Sequence, residues 1–400
     1  MKKKILMLGG SHFQVPAIKY AKEAGYHVIT VDFLPNNPGH KYADEYYNVS
    51  TIDNKKVLEL AKKLKIDGIL SYASDPGAPT AAYVSERLDL PGNPYDSVII
   101  LQRKELFKKF LNENGFNTPK FCSFIKFETA IKYATELLEN YSIIVKPVDS
   151  SGSKGVTKLG SIKHFNSAFN LAMNYSISKC VVIEQFINKS IYEMDGDGFV
   201  WNGKLAFRCF GNQHNDLKCN PHVPAGISFP YIQDKYLQQK AHDIVEKILT
   251  KLNMKVGGLN IEYLTDNDNN IYVLEIGPRN GGNLIPEVIK YSTGIDLIKY
   301  SVDGALGKDC SNLGMIEPKG FYSSYILHSQ KEGVVKNIVI SDEIKNHIVE
   351  YKILITKGDY VNKFNGSNDT LGTFILKFKN EEQMINMMDR MNDYIYVVIK

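Results

Sequence analysis

At 400 residues, with 44% hydrophobic and 23% charged side chains, the chain has room for two or three domains, and disorder is excluded. A formal charge of +4 is too small for the basic stripe of a nucleic-acid binder, and no apolar run approaches a membrane span. Five scattered cysteines suit a reducing cytoplasm, and only Ile5 to Leu8 are apolar between Met-Lys-Lys-Lys and Gly9-Gly10, too few for a secretion signal.

The first 95 residues alternate strand and helix patterns. Lys4 to Leu8 reads as a buried strand, Pro16 to Ala24 as a helix, and Val28 to Val31 as a second strand ending at Asp32. A helix near Asn54–Leu64 leads to a third strand, Gly68 to Ser71. Such alternation predicts a parallel, doubly wound α/β sheet with ligands at the carboxyl ends of its strands. Those ends are Gly9 to Phe13, Asp32 and the segment Ser74-Asp75-Pro76-Gly77. The dinucleotide fingerprint is incomplete, because Ser11, His12 and Phe13 interrupt it. Gly9-Gly10 and Asp32 therefore read as a ligand edge or as a structural turn with Asp32 capping the next segment.

Leu101 to Gly115 reads as an amphipathic helix, broken by Asn117-Thr118-Pro119 at a domain boundary. A helix, Phe127 to Leu138, then precedes a strand, Ser142 to Val145, that runs into Lys146-Pro147 and the loop Ser150-Ser151-Gly152-Ser153-Lys154-Gly155. Backbone N–H groups in a Ser/Gly loop can approach phosphate oxygens closely, and Lys146 adds a fixed positive charge. Walker A spacing is missing, so this is no P-loop, and a Ser/Gly hairpin turn remains the plain alternative. Cys180 to Ile187 is a buried strand ending in Glu184, followed by Phe186 and Ile187. Such an end can bind adenine by its edge, with Glu193 nearby for ribose hydroxyls; alone, a strand-terminal glutamate such as Glu184 is more often a surface residue.

From Lys179 to Phe229 the pattern is mostly strands, and a helix is predicted over Asp234–Leu252. The segment Gly257 to Asn283 follows, placing Glu262 and Glu275 on paired strands ahead of the turn Gly277-Pro278-Arg279-Asn280-Gly281-Gly282. Hard cations such as Mg²⁺ take oxygen ligands, often one or two carboxylates plus substrate phosphates. An adjacent guanidinium can neutralise charge on a transferring phosphoryl group. The last 80 residues alternate strands (320–327, 349–355 and 371–377) with a helix at 381–391. Cys209, His214, Cys219 and His222 have spacing that fits no standard zinc pattern. Trp201, beside Asn202-Gly203, reads as hairpin packing.

Taken in order, Lys104, Lys146 with its loop, Glu184-Gln-Phe-Ile, Glu193, Glu262, Glu275 and Arg279 resemble the ATP-grasp family over nearly the whole chain. The likeness is greatest to its carboxylate–amine ligases, the L-amino acid ligase and carbamoyl-phosphate-synthase-like group. The resemblance implies an ATP-grasp fold of mixed α/β and α+β class. Residues 1–100 would form the N-terminal α/β domain and 101–190 the small subdomain with the loop. Residues 191–315 would form the metal-binding subdomain and 316–400 a β-rich one. It implies that Lys104 and Lys146 bind the ATP phosphates and that the Ser150–Gly155 loop closes over them. Glu184, Phe186 and Ile187 would hold adenine and Glu193 the ribose. Glu262 and Glu275 would hold one or two Mg²⁺, with Mn²⁺ able to substitute, and Arg279 would stabilise the reacting phosphoryl group. Gly277 departs from the family's usual asparagine. A water or Asn280 replaces that ligand, or the second ion is held less tightly.

The resemblance implies a ligase joining a small-molecule carboxylate to an amine through an acylphosphate, in members that are often homodimers. Substrate contacts are expected from Ser74, Asp75, His214, His222 and Asn280 to Gly282. A kinase of small amides or amines, a purine-type carboxylase or ligase, and a non-catalytic nucleotide-binding regulator are the alternatives. Retention of both acids and Arg279 argues against the regulator.

Overall fold

A computed structural model describes residues 2–400. The N-terminal sheet comprises β1 (Lys4–Leu8), β2 (His27–Val31), β3 (Glu45–Tyr47) and β4 (Gly68–Leu70), in the order β3-β2-β1-β4 and parallel throughout. Ile5 to Leu8 and Val28 to Val31 are almost fully buried, as strands covered on both faces by helices must be. Asp32 acts as the cap: Oδ2 accepts from Gly10 N at 3.1 Å and Oδ1 from Leu34 N at 3.0 Å.

The helix expected over 101–115 is two helices, Tyr95–Gln102 and Lys104–Glu113, broken at Arg103 (φ −103°, ψ 112°). The break has a tertiary cause, because Lys104 N donates to Val148 O at 2.9 Å instead of to the preceding turn. A four-stranded antiparallel sheet follows, made of β5 (Phe121–Phe124), β6 (Ile143–Pro147), β7 (Thr157–Leu159) and β8 (Val181–Gln185), in the order β5-β8-β6-β7. Helices Phe127–Leu138 and Phe165–Tyr175 bury one face of this sheet around Phe165, Phe169 and Val181.

Next come β9 (Met194–Trp201), β10 (Lys204–Asn215), β11 (Pro224–Phe229), β12 (Val256–Thr265) and β13 (Ile271–Gly277). Asn202 and Gly203, at φ 50° and 80°, form the two-residue hairpin turn between β9 and β10, with Trp201 opposite Lys204. Helix Lys235–Lys251 starts where the Asp234 carboxylate accepts from Tyr236 N and Leu237 N. It buries Ala241, Val245, Ile248 and Leu249 in the core beneath β9, β10 and β12. The C-terminal part holds β14 (Phe321–Leu327), β15 (Gly333–Ile340), β16 (Ile348–Ile353), β17 (Tyr360–Val361), β18 (Gly372–Phe378) and β19 (Ile395–Ile399). The eight-stranded order is β13-β12-β9-β10-β11-β14-β18-β16, so strands from both sides of residue 316 share one ladder. Strands β15, β17 and β19, absent from the sequence reading, form a separate small sheet. The C-terminal helix is shorter than expected, Glu381–Met388, with a separate turn at Met391–Tyr394.

Candidate nucleotide and metal cleft

A cleft of about 1240 Å³ opens between the β5–β8 sheet and the eight-stranded sheet. Its acid wall is a matter of register. Glu262 on β12 pairs with Glu275 on β13 and with Asp195 on β9, so three carboxylates form a row across adjacent strands. One step along, Asn260 lies between Gly277 and Asp197. Alternation on β12 puts Asn260 and Glu262 on the same face. Burial beside Glu275, Asp195 and Glu193 pushes the Glu262 carboxyl well up, with Lys104 acting the other way.

Lys104 ties the two sides together, its Nζ donating to Glu275 Oε2 at 2.9 Å and to Ser150 O at 3.0 Å. Lys146 Nζ sits 2.7 Å from Glu184 Oε1, while Lys108 Nζ sits 2.7 Å from Oε2. Glu184 is thus a buried carboxylate between two ammonium groups, held at about 2 because the lysines outweigh its desolvation. Lys108, 1% exposed, was not anticipated: at helical spacing from Lys104, it gives no sign of Glu184 76 residues away.

The loop from Ser150 to Gly155 crosses the mouth of the cleft. Gly152, Ser153 and Gly155 take φ of 65°, 56° and 76°, and a Cβ on Gly155 would press on Tyr175 at 3.1 Å, so glycine is required there. Ser153 Oγ donates to His222 O at 2.6 Å, so the loop reaches the opposite wall. Phe186, Ile187 and Glu193 line the same cleft, and Lys158 Nζ lies 3.4 Å from the Phe186 ring centre.

Several expected substrate contacts lie elsewhere. His214 faces the far side of β10, where Nδ1 meets Asp389 Oδ1 at 2.7 Å and Nε2 meets Ser228 Oγ at 2.8 Å, while its neighbours Gln213 and Asn215 line the cleft. Period-two alternation is the reason. Asn280 is 1% exposed and turned onto Asp197 and Ser301, so its side chain cannot stand in for the asparagine missing at 277. Gly281 N donates to Asp197, and Gly282 lines the cleft. The Ser74 carbonyl is taken by Ser71 Oγ. Both Asp75 oxygens hold Arg279, at 2.7 Å from Nε and 2.7 Å from the terminal nitrogen. A Cβ at Gly277 would meet Arg279 Cζ at 3.2 Å, so glycine leaves room for the guanidinium to fold back toward Asp75.

Asp197, fully buried, is pushed up to about 7 by desolvation, against hydrogen bonds from Asn280 and Gly281. Its folded value lies above the unfolded one, so the folded state binds the proton more tightly. Its contribution to stability is full below 3.8 and is lost as pH rises toward about 7. With no cation added, Asp197→Asn is expected to flatten the decline of urea midpoints across that window. An unchanged slope would assign the decline to another group.

Residues 101–283 match the family model of the ATP-grasp domain. The chain contains an ATP-grasp domain. Residues 5–80, ahead of it, match the model of the PylC-like N-terminal domain. The carbamoyl phosphate synthase large chain of Thermoanaerobacter pseudethanolicus is 25% identical over 312 residues, covering 75% of this chain and 28% of its own. The chain thus spans little more than a quarter of that relative. An L-amino acid ligase from Bacillus licheniformis superposes with a TM-score of 0.80 at 20% identity, covering 100% of this chain and 99% of that one. The biotin carboxylase domain of the Hydrogenobacter thermophilus 2-oxoglutarate carboxylase, solved with ADP, its magnesium salt and bicarbonate, has a TM-score of 0.76. It is 14% identical and covers 100% of this chain and 91% of its own. These structures share the ATP-grasp fold. No helix among the described residues is long and apolar enough to cross a membrane.

Proposed function

We propose that the chain is an ATP- and Mg²⁺-dependent ligase that joins a carboxylate to an amine through an acylphosphate, releasing ADP and phosphate. The observation that carries this reading is Lys104, which joins the closing loop at Ser150 to the acid row at Glu275. A polyphosphate lying there would meet Lys104 and Lys146 on one side and the carboxylate row on the other. The oxygen-only donors of Glu262 and Glu275 fit a hard cation, and Asp195 on the same row, with Asn260 one step along, offers further oxygens that would make up for Gly277. When bound, Mg²⁺ supplies charge neutralisation at the transferring phosphoryl group.

Phe186 and Ile187 would flank the adenine, and Glu193 would accept from the ribose. Glu184, expected at adenine, has its two oxygens on Lys108 and Lys146 instead, so it would act through Lys146 by fixing that ammonium at the cleft wall. A free carboxylate is a poor electrophile. Transfer of the γ-phosphoryl group to its oxygen converts that oxygen into part of a good leaving group, and attack by the amine then expels phosphate. The Ser153–His222 contact supports a loop that shuts water away from the acylphosphate. Arg279, steadied by Asp75, would face the transferring group from the end of β13.

The test is product analysis with ATP, Mg²⁺ and paired pools of amino acids and carboxylates. ADP and phosphate formation that depends on both substrates is expected. A phosphorylated product without free phosphate would make the protein a kinase, and dependence on bicarbonate with an amine would make it a carboxylase.

A further inference from the structure

We infer that Asp216, Cys219 and His328 form a second metal site, distinct from the acid row and suited to a borderline transition cation such as Zn²⁺. Asp216 and Cys219 stand three residues apart in the loop after β10, and His328 directly follows β14. Their ligand atoms all lie within 4.8 Å of one another. Asp216 Oδ2 is 3.0 Å from His328 Nε2 and 3.5 Å from Cys219 Sγ. A tetrahedral ion with bonds of about 2.0 Å to oxygen and nitrogen and about 2.3 Å to sulfur sets such atoms about 3.3 Å and about 3.5 Å apart. The Asp216–Cys219 spacing matches its edge, and the Asp216–His328 spacing lies about 0.3 Å inside its own.

The surroundings fit the same reading. His328 Nδ1 donates to Ile326 O at 2.7 Å, which turns Nε2 onto the cluster, the second-shell arrangement usual for a ligating histidine. The Gln330 and Asn392 amides also reach Asp216 Oδ2, each at 2.8 Å. With His328 and Cys219, four groups crowd one oxygen that has two lone pairs. Turned over, either amide would offer an oxygen as fourth ligand. A thiol in the set selects zinc-like cations over magnesium. His328 and Asp216 are buried, whereas Cys219 borders the cleft, which provides an entry path. A thiol binds a metal as thiolate, so one proton leaves Cys219 Sγ as the metal–sulfur bond forms. Three residues further on, His222 receives Ser153 of the closing loop, so a filled site would stiffen the wall that the loop meets. The cluster is not the Cys209, His214, Cys219 and His222 set, because Cys209 is buried in a separate core and His214 is committed to Asp389.

The experiment is titration of the chelator-treated 400-residue chain with Co²⁺ alone. One equivalent is expected to produce a thiolate-to-metal charge-transfer absorption. Cys219→Ser should abolish that absorption and weaken binding at least tenfold, while Glu262→Gln should keep it. No such band in the wild type, or a band unchanged in Cys219→Ser, overturns the site. If the serine variant does not fold, zinc-edge X-ray absorption of the zinc-loaded wild type decides. One sulfur neighbour at about 2.3 Å supports the site, and a shell of nitrogen and oxygen alone refutes it.

Discussion

Glu275→Ala is expected to lower ATP-dependent ADP formation at least about a hundredfold, a loss of about 2.7 kcal/mol of transition-state stabilisation. Two effects combine. In the proposed site the row of Glu262, Glu275 and Asp195 would lose a metal oxygen, and Lys104 would lose the carboxylate that fixes its ammonium at 2.9 Å. Glu275→Gln keeps the shape and removes the charge, so it shows whether the loss comes from charge or from bulk. The check is ADP formation as a function of Mg²⁺ concentration, with Mg²⁺–ATP binding measured by calorimetry. An alanine variant that turns over and binds Mg²⁺–ATP like the wild type would remove Glu275 from the metal site.

Glu184→Ala is expected to destabilise the fold by about 3–5 kcal/mol, because it strands Lys108 without a counter-charge in an interior where it is 1% exposed. The Glu184 carboxyl lies below its ordinary value, so its contribution is present above 4.5 and is lost as pH falls toward about 2. The sign is opposite to that of Asp197. Glu184→Leu combined with Lys108→Met should recover much of the loss, since apolar residues of similar volume often replace buried ion pairs at little cost. Urea unfolding of the three proteins measures this. A double variant no more stable than Glu184→Ala would mean that Glu184 does not act through Lys108. Nucleotide affinity gives a second readout, because Lys146 stays at the cleft wall in the double variant but loses its anchor.

Much of the site was legible because its signals are local. Strand periodicity placed Glu262 and Glu275 on paired strands, and the chain order of the lysines, the loop and the acids carried the resemblance to the ATP-grasp family. Asp195 and Asp197 carry a local signal too, because Glu193-x-Asp195-x-Asp197 has the spacing of one strand face. The same parity rule accounts for His214, which no reading of composition could assign to a face until the β10 register was known.

By itself, the sequence determined the alternation of elements, the Asn202-Gly203 hairpin and the acid pair, since each depends on residues within a turn or two of one another. Only the tertiary structure decided the break at Arg103, the Lys108–Glu184–Lys146 triad, the Arg279–Asp75 pair and the Asp216, Cys219 and His328 cluster. Asp75 and Arg279 are 204 residues apart, and Asp216 and His328 are 112 apart. No periodicity links positions so distant. Charges and ligands of this kind are matched by burial, which brings them into a low-dielectric interior where an unpaired partner is too costly to leave alone.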